Sequence, residues 1–208
     1  MKRLLSKYKI PVVKGKIVKN KKEVLGFVKK NGFPVVLKIS SADILHKTDI
    51  GGVVVDIESQ KELSEAYVKI SKLAKSLSSP AGGVSCDILV QKQIEGTEVI
   101  IGGKRDPVFG PVVMFGLGGI FTEALKDVSF RLAPISQKEA KEMISEIKGS
   151  KILKGYRGQK PVNLQKLMEI LLSLSDLITK EEKIKEVDLN PVIVDEKKAL
   201  VVDVKIIS

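Results

Sequence analysis

Cysteine is almost missing from this 208-residue chain. Cys86 stands alone, which excludes an internal disulfide framework and any cysteine-based metal cluster, and fits a reducing compartment. Histidine is as scarce, with His46 the only one. Aromatic residues make up 4%, and Tyr8, Phe27 and Phe33 build no stacking platform, so nucleic acid is a poor fit as partner. No run of about 18 apolar residues occurs; the stretches 111–121 and 167–178 are too short or too interrupted to span a bilayer. The opening MKRLLSKYKIP is basic, but Lys7 and Lys9 break any apolar signal core. These absences predict a soluble, cytoplasmic protein without a membrane partner. GxxxxGK[ST] and GxGxxG are also missing, so neither a P-loop nor a Rossmann nucleotide unit is encoded.

Basic charge is what the chain has in excess, and it is unevenly spread. Residues 1–40 hold twelve Lys or Arg against the single acid Glu23, while the rest of the chain cancels, so the net +11 resides at the start. Such a segment serves nucleic acid, an acidic partner or simply a lysine-rich solvated surface. With 43% apolar and 29% charged residues the chain has material for a sizeable core and no signature of disorder.

Short strands alternate with amphipathic helices. The spacing of Val24, Leu25 and Val28 predicts a helix over 21–30, closed by Asn31-Gly32. Strands VVLKI and VVVDI follow. Ser59 with Glu62 reads as a capping box opening a helix that buries Leu63, Ala66, Ile70 and Ala74. Residues 78–83 form a small-residue linker, which divides the chain into 1–84 and 85–208. Beyond it, DILVQKQI, EVIIGGK and VFGPVVMF read as strands, Ser136 with Glu139 as a second capping box, and 164–172 as a helix after Pro161. The close is KEVDL, VIVD and ALVVDV. Tight strand-to-strand links predict an α/β chain with α+β layering, not a purely parallel sheet.

Three constellations are candidates for chemistry. In VVLKISSADILHKTDIGG, a strand delivers Lys38 to a loop with Ser40, Ser41, Thr48, Gly51 and Gly52, where an ammonium and glycine amides suit a phosphate. An ordinary hairpin loop with a surface lysine is the plainer alternative. His46 lies in that loop, and a neutral imidazole can attack phosphorus and pass the phosphoryl group on; a plain surface histidine is the other reading. In EVDLNP and ALVVDV, a turn at 195–198 pairs positions summing to 393. Asn190 then lies opposite Asp203, with Asp188 on the same face, an oxygen set suited to Mg²⁺ or merely an exposed polar face. Pro191 implies an edge or a bulge there. In FGLGGIFTEALKD, Gly118 and Gly119 open a turn towards a possible helix start, and Arg131 is either an oxyanion contact or a surface ion pair.

Taken in order, YKIPVVKG, GFPVVLKISSADILHKTDIGGV, LVQKQIEGTEVIIGGKRDPVFGPVVMFGLGGIFTEALKDVSFRLAP and EVDLNPVIV resemble an ATP-grasp protein. The likeness is to the β subunit of the ADP-forming acetyl-CoA synthetases, within the nucleoside-diphosphate-forming acyl-CoA synthetases. It implies two ATP-grasp subdomains with the nucleotide between them. It also implies that Lys38 contacts nucleotide phosphates, that the loop from Ser40 to Gly52 closes over them, and that Gln91 to Ile94 form the adenine hinge. Glu98 would be a nucleotide-contacting acid, and Asn190 and Asp203 the Mg²⁺ ligands. Asp188 would orient His46 or join the metal. Gly118, Gly119 and Arg131 would position phosphate or the partner.

The same resemblance implies a relay: acyl-CoA and phosphate give acyl phosphate, a partner histidine takes the phosphoryl group, then His46, then ADP. A partner α subunit would carry the CoA domain and the first phosphohistidine, in an α₂β₂ assembly, and handle the acyl group. The opening before YKIP is shorter than that family's, which bears on partner docking. Two other readings stay open: another ATP-grasp carboxylate ligase using an acyl phosphate, in which His46 is dispensable, and a non-catalytic nucleotide- or RNA-binding module.

Overall fold

The computed structural model describes the whole chain except residues 1, 42–43, 45–46, 79–84 and 120–126. In chain order the elements are α1 (Lys2–Lys7), β1 (Gly15–Val18), α2 (Lys21–Asn31), β2 (Val35–Ser40), β3 (Val53–Ile57), α3 (Gln60–Leu77), β4 (Asp87–Lys92) and β5 (Thr97–Asp106). They continue with β6 (Gly110–Leu117), β7 (Val128–Leu132), α4 (Gln137–Glu146), α5 (Ser150–Leu153), α6 (Leu164–Lys180), β8 (Glu186–Val194), β9 (Ala199–Val201) and β10 (Val204–Ile207). These form two compact units, Val13–Ile94 on one hand and Met1–Val12 with Glu95–Ser208 on the other. All ladders between the named strands are antiparallel.

In the unit Val13–Ile94 the sheet order is β1-β4-β2-β3. Helix α2 starts at Asn20, whose side-chain oxygen accepts the Glu23 N–H (3.0 Å), and stops at Gly32 with φ +73°. Helix α3 opens on the expected Ser59–Glu62 capping box and buries Leu63, Ala66, Ile70 and Ala74. Val35, Leu37 and Ile39 of β2 and Val90 of β4 complete this core. Each fully buried aliphatic side chain contributes roughly 1.5–3 kcal/mol, an upper bound given residual burial in the unfolded chain.

The second unit is built on a sheet ordered β10-β8-β5-β6-β7, with β9 also paired to β8. Helix α6 lays Leu167, Ile170, Leu171 and Leu174 onto it, and α4, opened by the Ser136–Glu139 capping box, adds Ala140, Met143 and Ile144. Leu5 and Ile10 belong to the same core, and Val12 bridges Val201.

The contact division differs from the boundary read at 84/85. Strand Asp87–Lys92 pairs with β1 and β2, so it belongs with the N-terminal residues, while Met1–Val12 goes with the later ones. The linker at 78–83 falls mostly outside the described residues. The expected strand VFGPVVMF begins only at Gly110 (φ +79°), because the Asp106 carboxylate accepts the N–H groups of Val108 (2.8 Å) and Phe109 (3.0 Å) and folds them into a turn. ALVVDV is broken at residues 202–203, opposite Pro191; the Val202 N–H donates to the Pro191 carbonyl there (2.9 Å).

Candidate functional site

In the unit Val13–Ile94, β2 alternates. Val35, Leu37 and Ile39 enter the core, which leaves Lys38 on the face away from the helices, across from Val53 and Leu89. Gln91 of β4 lies on that face as well. Both are only 5% exposed, an unusual state for a lysine on a sheet's outer side. Ser40, at the end of β2, is half-buried.

The loop that β2 feeds returns through residues 47–52, and its glycines have a local cause. Gly51 has φ +69°, and a Cβ on Gly52 would sit 2.8 Å from the Lys47 carbonyl. Their N–H groups donate to the Thr48 carbonyl (2.9 Å) and the Lys47 carbonyl (2.7 Å). The pair is thus committed to closing the turn, and the expectation that these amides cradle a phosphate has no open donors here. His46 lies outside the described residues.

At the other end of this unit, the Gln93 N–H donates to the Pro34 carbonyl (3.1 Å), and the Gln93 side chain makes reciprocal bonds with Asp56 (2.7 and 2.5 Å). Ile94 follows with main-chain groups that make no hydrogen bond among the described residues.

The second unit carries the remaining candidates. Glu98, exposed at the start of β5, accepts the Gly118 N–H on its carbonyl (2.7 Å), and a Cβ on Gly118 would lie 2.8 Å from the Glu98 Cβ. Gly119 has φ +69°. Phe115 to Leu117 are strand, so the turn begins at Gly118, and the possible helix start lies outside the described residues.

On β8, Val187 and Leu189 are fully buried, which turns Asp188 and Asn190 to the opposite face. The hairpin has the expected register. Val192 pairs with Val201 and Lys205 with Asp188, and the Asn190 N–H donates to the Asp203 carbonyl (3.2 Å). Pro191 sits at a register shift between β8 and β5, the bulge its missing N–H calls for. Burial pushes the Asp188 carboxyl above the ordinary range; Glu186 and Asp203 add to this and Lys205 opposes it.

Arg131 faces away from these groups. Its two terminal nitrogens donate to Glu146 of α4, Nη1 at 3.0 Å, and Nη1 donates also to the Phe130 carbonyl (2.8 Å). The ion-pair reading of this residue is the one its geometry displays.

A family model for the ATP-grasp domain matches residues 1–207. The β subunit of acetate–CoA ligase [ADP-forming] I from Pyrococcus furiosus is 45% identical over 99% of this chain and 88% of its own. This chain belongs to that β-subunit family and has the ATP-grasp fold. The ADP-forming 4-hydroxybutyrate–CoA ligase of Nitrosopumilus maritimus is 45% identical over 93% of this chain, which spans only 28% of that longer protein.

Solved relatives agree in backbone. Acetyl-coenzyme A synthetase 1 of Ca. Korarchaeum cryptofilum, in complex with coenzyme A and Ca-AMPCP, superposes with TM-score 0.91 at 44% identity, over 99% of this chain and 90% of that one. Another structure of it holds coenzyme A and Mg-AMPPCP, with its phosphohistidine segment pointing towards the nucleotide binding site (TM-score 0.83, 43% identity, 99% and 89% coverage).

Some organising residues of this ATP-grasp chain were not singled out in the sequence. Asp127 accepts the N–H groups of Lys148 and Gly149 (both 2.7 Å), fixing the approach to α5. The Ser175 hydroxyl accepts the Ile135 N–H (2.9 Å) inside the core. Each partner is distant in sequence, so no local spacing signals it.

Proposed function

We propose that this chain is the nucleotide-handling subunit of an ADP-forming acyl-CoA synthetase, making ATP by phosphoryl transfer through His46. The supporting observation is one of position: the chain's single histidine falls between β2 and β3, in a family whose solved member carries a phosphohistidine segment. In this reading Lys38 neutralises nucleotide phosphates from the outer face of β2, and Gln91 and Ile94 line the adenine with main-chain groups. Glu98, Gly118 and Gly119 are further nucleotide contacts, Ser40 and the turn at Gly51-Gly52 carry the loop, and Asp188 orients the imidazole or joins the metal set.

Asp188, Asn190 and Asp203 suit Mg²⁺ on the chemistry of the donors: hard oxygens, and a carboxyl whose burial and like-charged neighbours disfavour ionisation unless a cation is near. Mg²⁺ sites commonly take one or two protein carboxylates and are completed by phosphates and water. When bound, the ion neutralises charge on the phosphate oxygens.

The imidazole forms a P–N bond as the P–N bond to the partner histidine breaks. A terminal ADP oxygen then displaces the imidazole, which restores neutral His46. Formation of acyl phosphate from thioester and phosphate falls to a CoA-binding α subunit, in an α₂β₂ complex of the cytoplasm.

The test is incubation of the chain with [γ-³²P]ATP and Mg²⁺. Acid-labile, base-stable label that ADP discharges and that His46→Ala lacks is the expected result. Full acyl-CoA turnover by His46→Ala with its α subunit would transfer the chain to the ligases that use acyl phosphate on the nucleotide.

A further inference from the structure

Helix α1 ends where glycine is the usual residue. Lys9 has φ +57°, and the Ile10 N–H reaches back to the Leu5 carbonyl (2.9 Å) while its own reaches Ser6 (3.1 Å). A side chain in this left-handed position costs roughly 1 kcal/mol relative to glycine. Nothing in the helix needs a lysine there.

Beside it lies an open hollow of ≈ 640 Å³ between the end of α1 and the end of α6, walled on one side by Leu172. Its other charges are matched. Lys7 bonds Glu181 (2.6 Å), the Tyr8 hydroxyl donates to the same carboxylate (2.8 Å), and Lys180 bonds Asp176 (2.8 Å). Lys9 alone of the three lysines has no carboxylate partner among the described residues. Among the described residues the hollow therefore presents one uncompensated positive charge, in the segment that carries the chain's basic excess.

We propose that this hollow docks an acidic side chain of the partner subunit, with Lys9 as its charged contact. The inference rests on the reading above in requiring that a separate subunit exists. Magnitudes favour a polypeptide over a free anion. One exposed ion contact is worth about 0.2–1 kcal/mol, whereas immobilising a free molecule costs roughly 4–15 kcal/mol. A lone ammonium in open water holds no small carboxylate or phosphate against that. A carboxylate on a chain already held by other contacts meets the cost elsewhere.

The test is titration of the chain with its α subunit in low and high salt, using wild type, Lys9→Gly and Lys9→Glu, with ADP binding and melting measured on each. Lys9→Gly should melt above wild type, since strain is relieved, yet bind the α subunit about threefold more weakly and with less salt dependence. Lys9→Glu should lose about tenfold or more. ADP binding should be the same in all three. Equal docking by wild type and both variants would overturn the inference and leave the nucleotide reading intact. Wild type that binds ADP but no α subunit would overturn the inference together with the two-subunit reading. Melting of wild type raised by millimolar glutamate or inorganic phosphate, and not in Lys9→Gly, would make the occupant a free anion and refute a docking role.

Discussion

Asp188 sits under opposing electrostatic demands. Its carboxyl is held above the ordinary range by burial and by Glu186 and Asp203, with Lys205 as the countercharge. Asp188→Asn removes the repulsion, so the metal-free chain should melt at or above the wild-type temperature. Mg²⁺-dependent ADP affinity, measured by calorimetry, should fall about 10- to 100-fold; unchanged affinity would remove Asp188 from the metal set. Gly118 gives a sharper steric expectation. A Cβ there meets the Glu98 Cβ at 2.8 Å and its main chain at 2.9 Å, so Gly118→Ala should cost about 1–3 kcal/mol in urea unfolding. At this scale the sequence exposed residue types but not their commitments. Arg131 was equally a phosphate contact or an ion pair until α4 brought Glu146 against it. Gly51 and Gly52 read as anion donors until their amides were found closing the turn.

Elements were the most legible scale, because their signals are local. Both capping boxes form where Ser-x-x-Glu stands, and each apolar stripe enters a core. Ser59→Ala and Ser136→Ala should each cost about 1 kcal/mol, seen as a fall in melting temperature of about 2–4 °C. Their glutamates give the pH dependence. Main-chain donors at Glu58 and Ser136 lead in holding Glu62 and Glu139 below the ordinary carboxylate range. A lowered folded value stabilises above the unfolded pKa and ceases to as pH falls through the folded one. Wild type should therefore be more stable than Glu139→Gln at neutral pH in urea melts, and the two should converge as pH falls through the lowered pKa of Glu139. The failures at this scale were interruptions: Asp106 turning Val108 and Phe109 out of a strand, and the break at 202–203 opposite Pro191.

For the molecule as a whole, the proposed scheme divides the labour between two chains. The isolated protein should exchange phosphate between ATP and ADP through labelled His46, yet turn over no thioester until an α subunit is added; thioester turnover by the chain alone would defeat the two-chain scheme. The register of the closing hairpin, the two capped helices and the family's motifs were all determined by the sequence, since each depends on contacts between residues close in the chain or on a two-residue period. Tertiary structure decided what proximity in the chain does not encode. It sent Asp87–Lys92 to the N-terminal sheet and Met1–Val12 to the other core, joined Arg131 to Glu146, and left Lys9 without a carboxylate partner among the described residues. Those choices depend on which distant surfaces bury each other. Hydrophobic attraction has no direction, so the residues along a chain do not name its partners in advance.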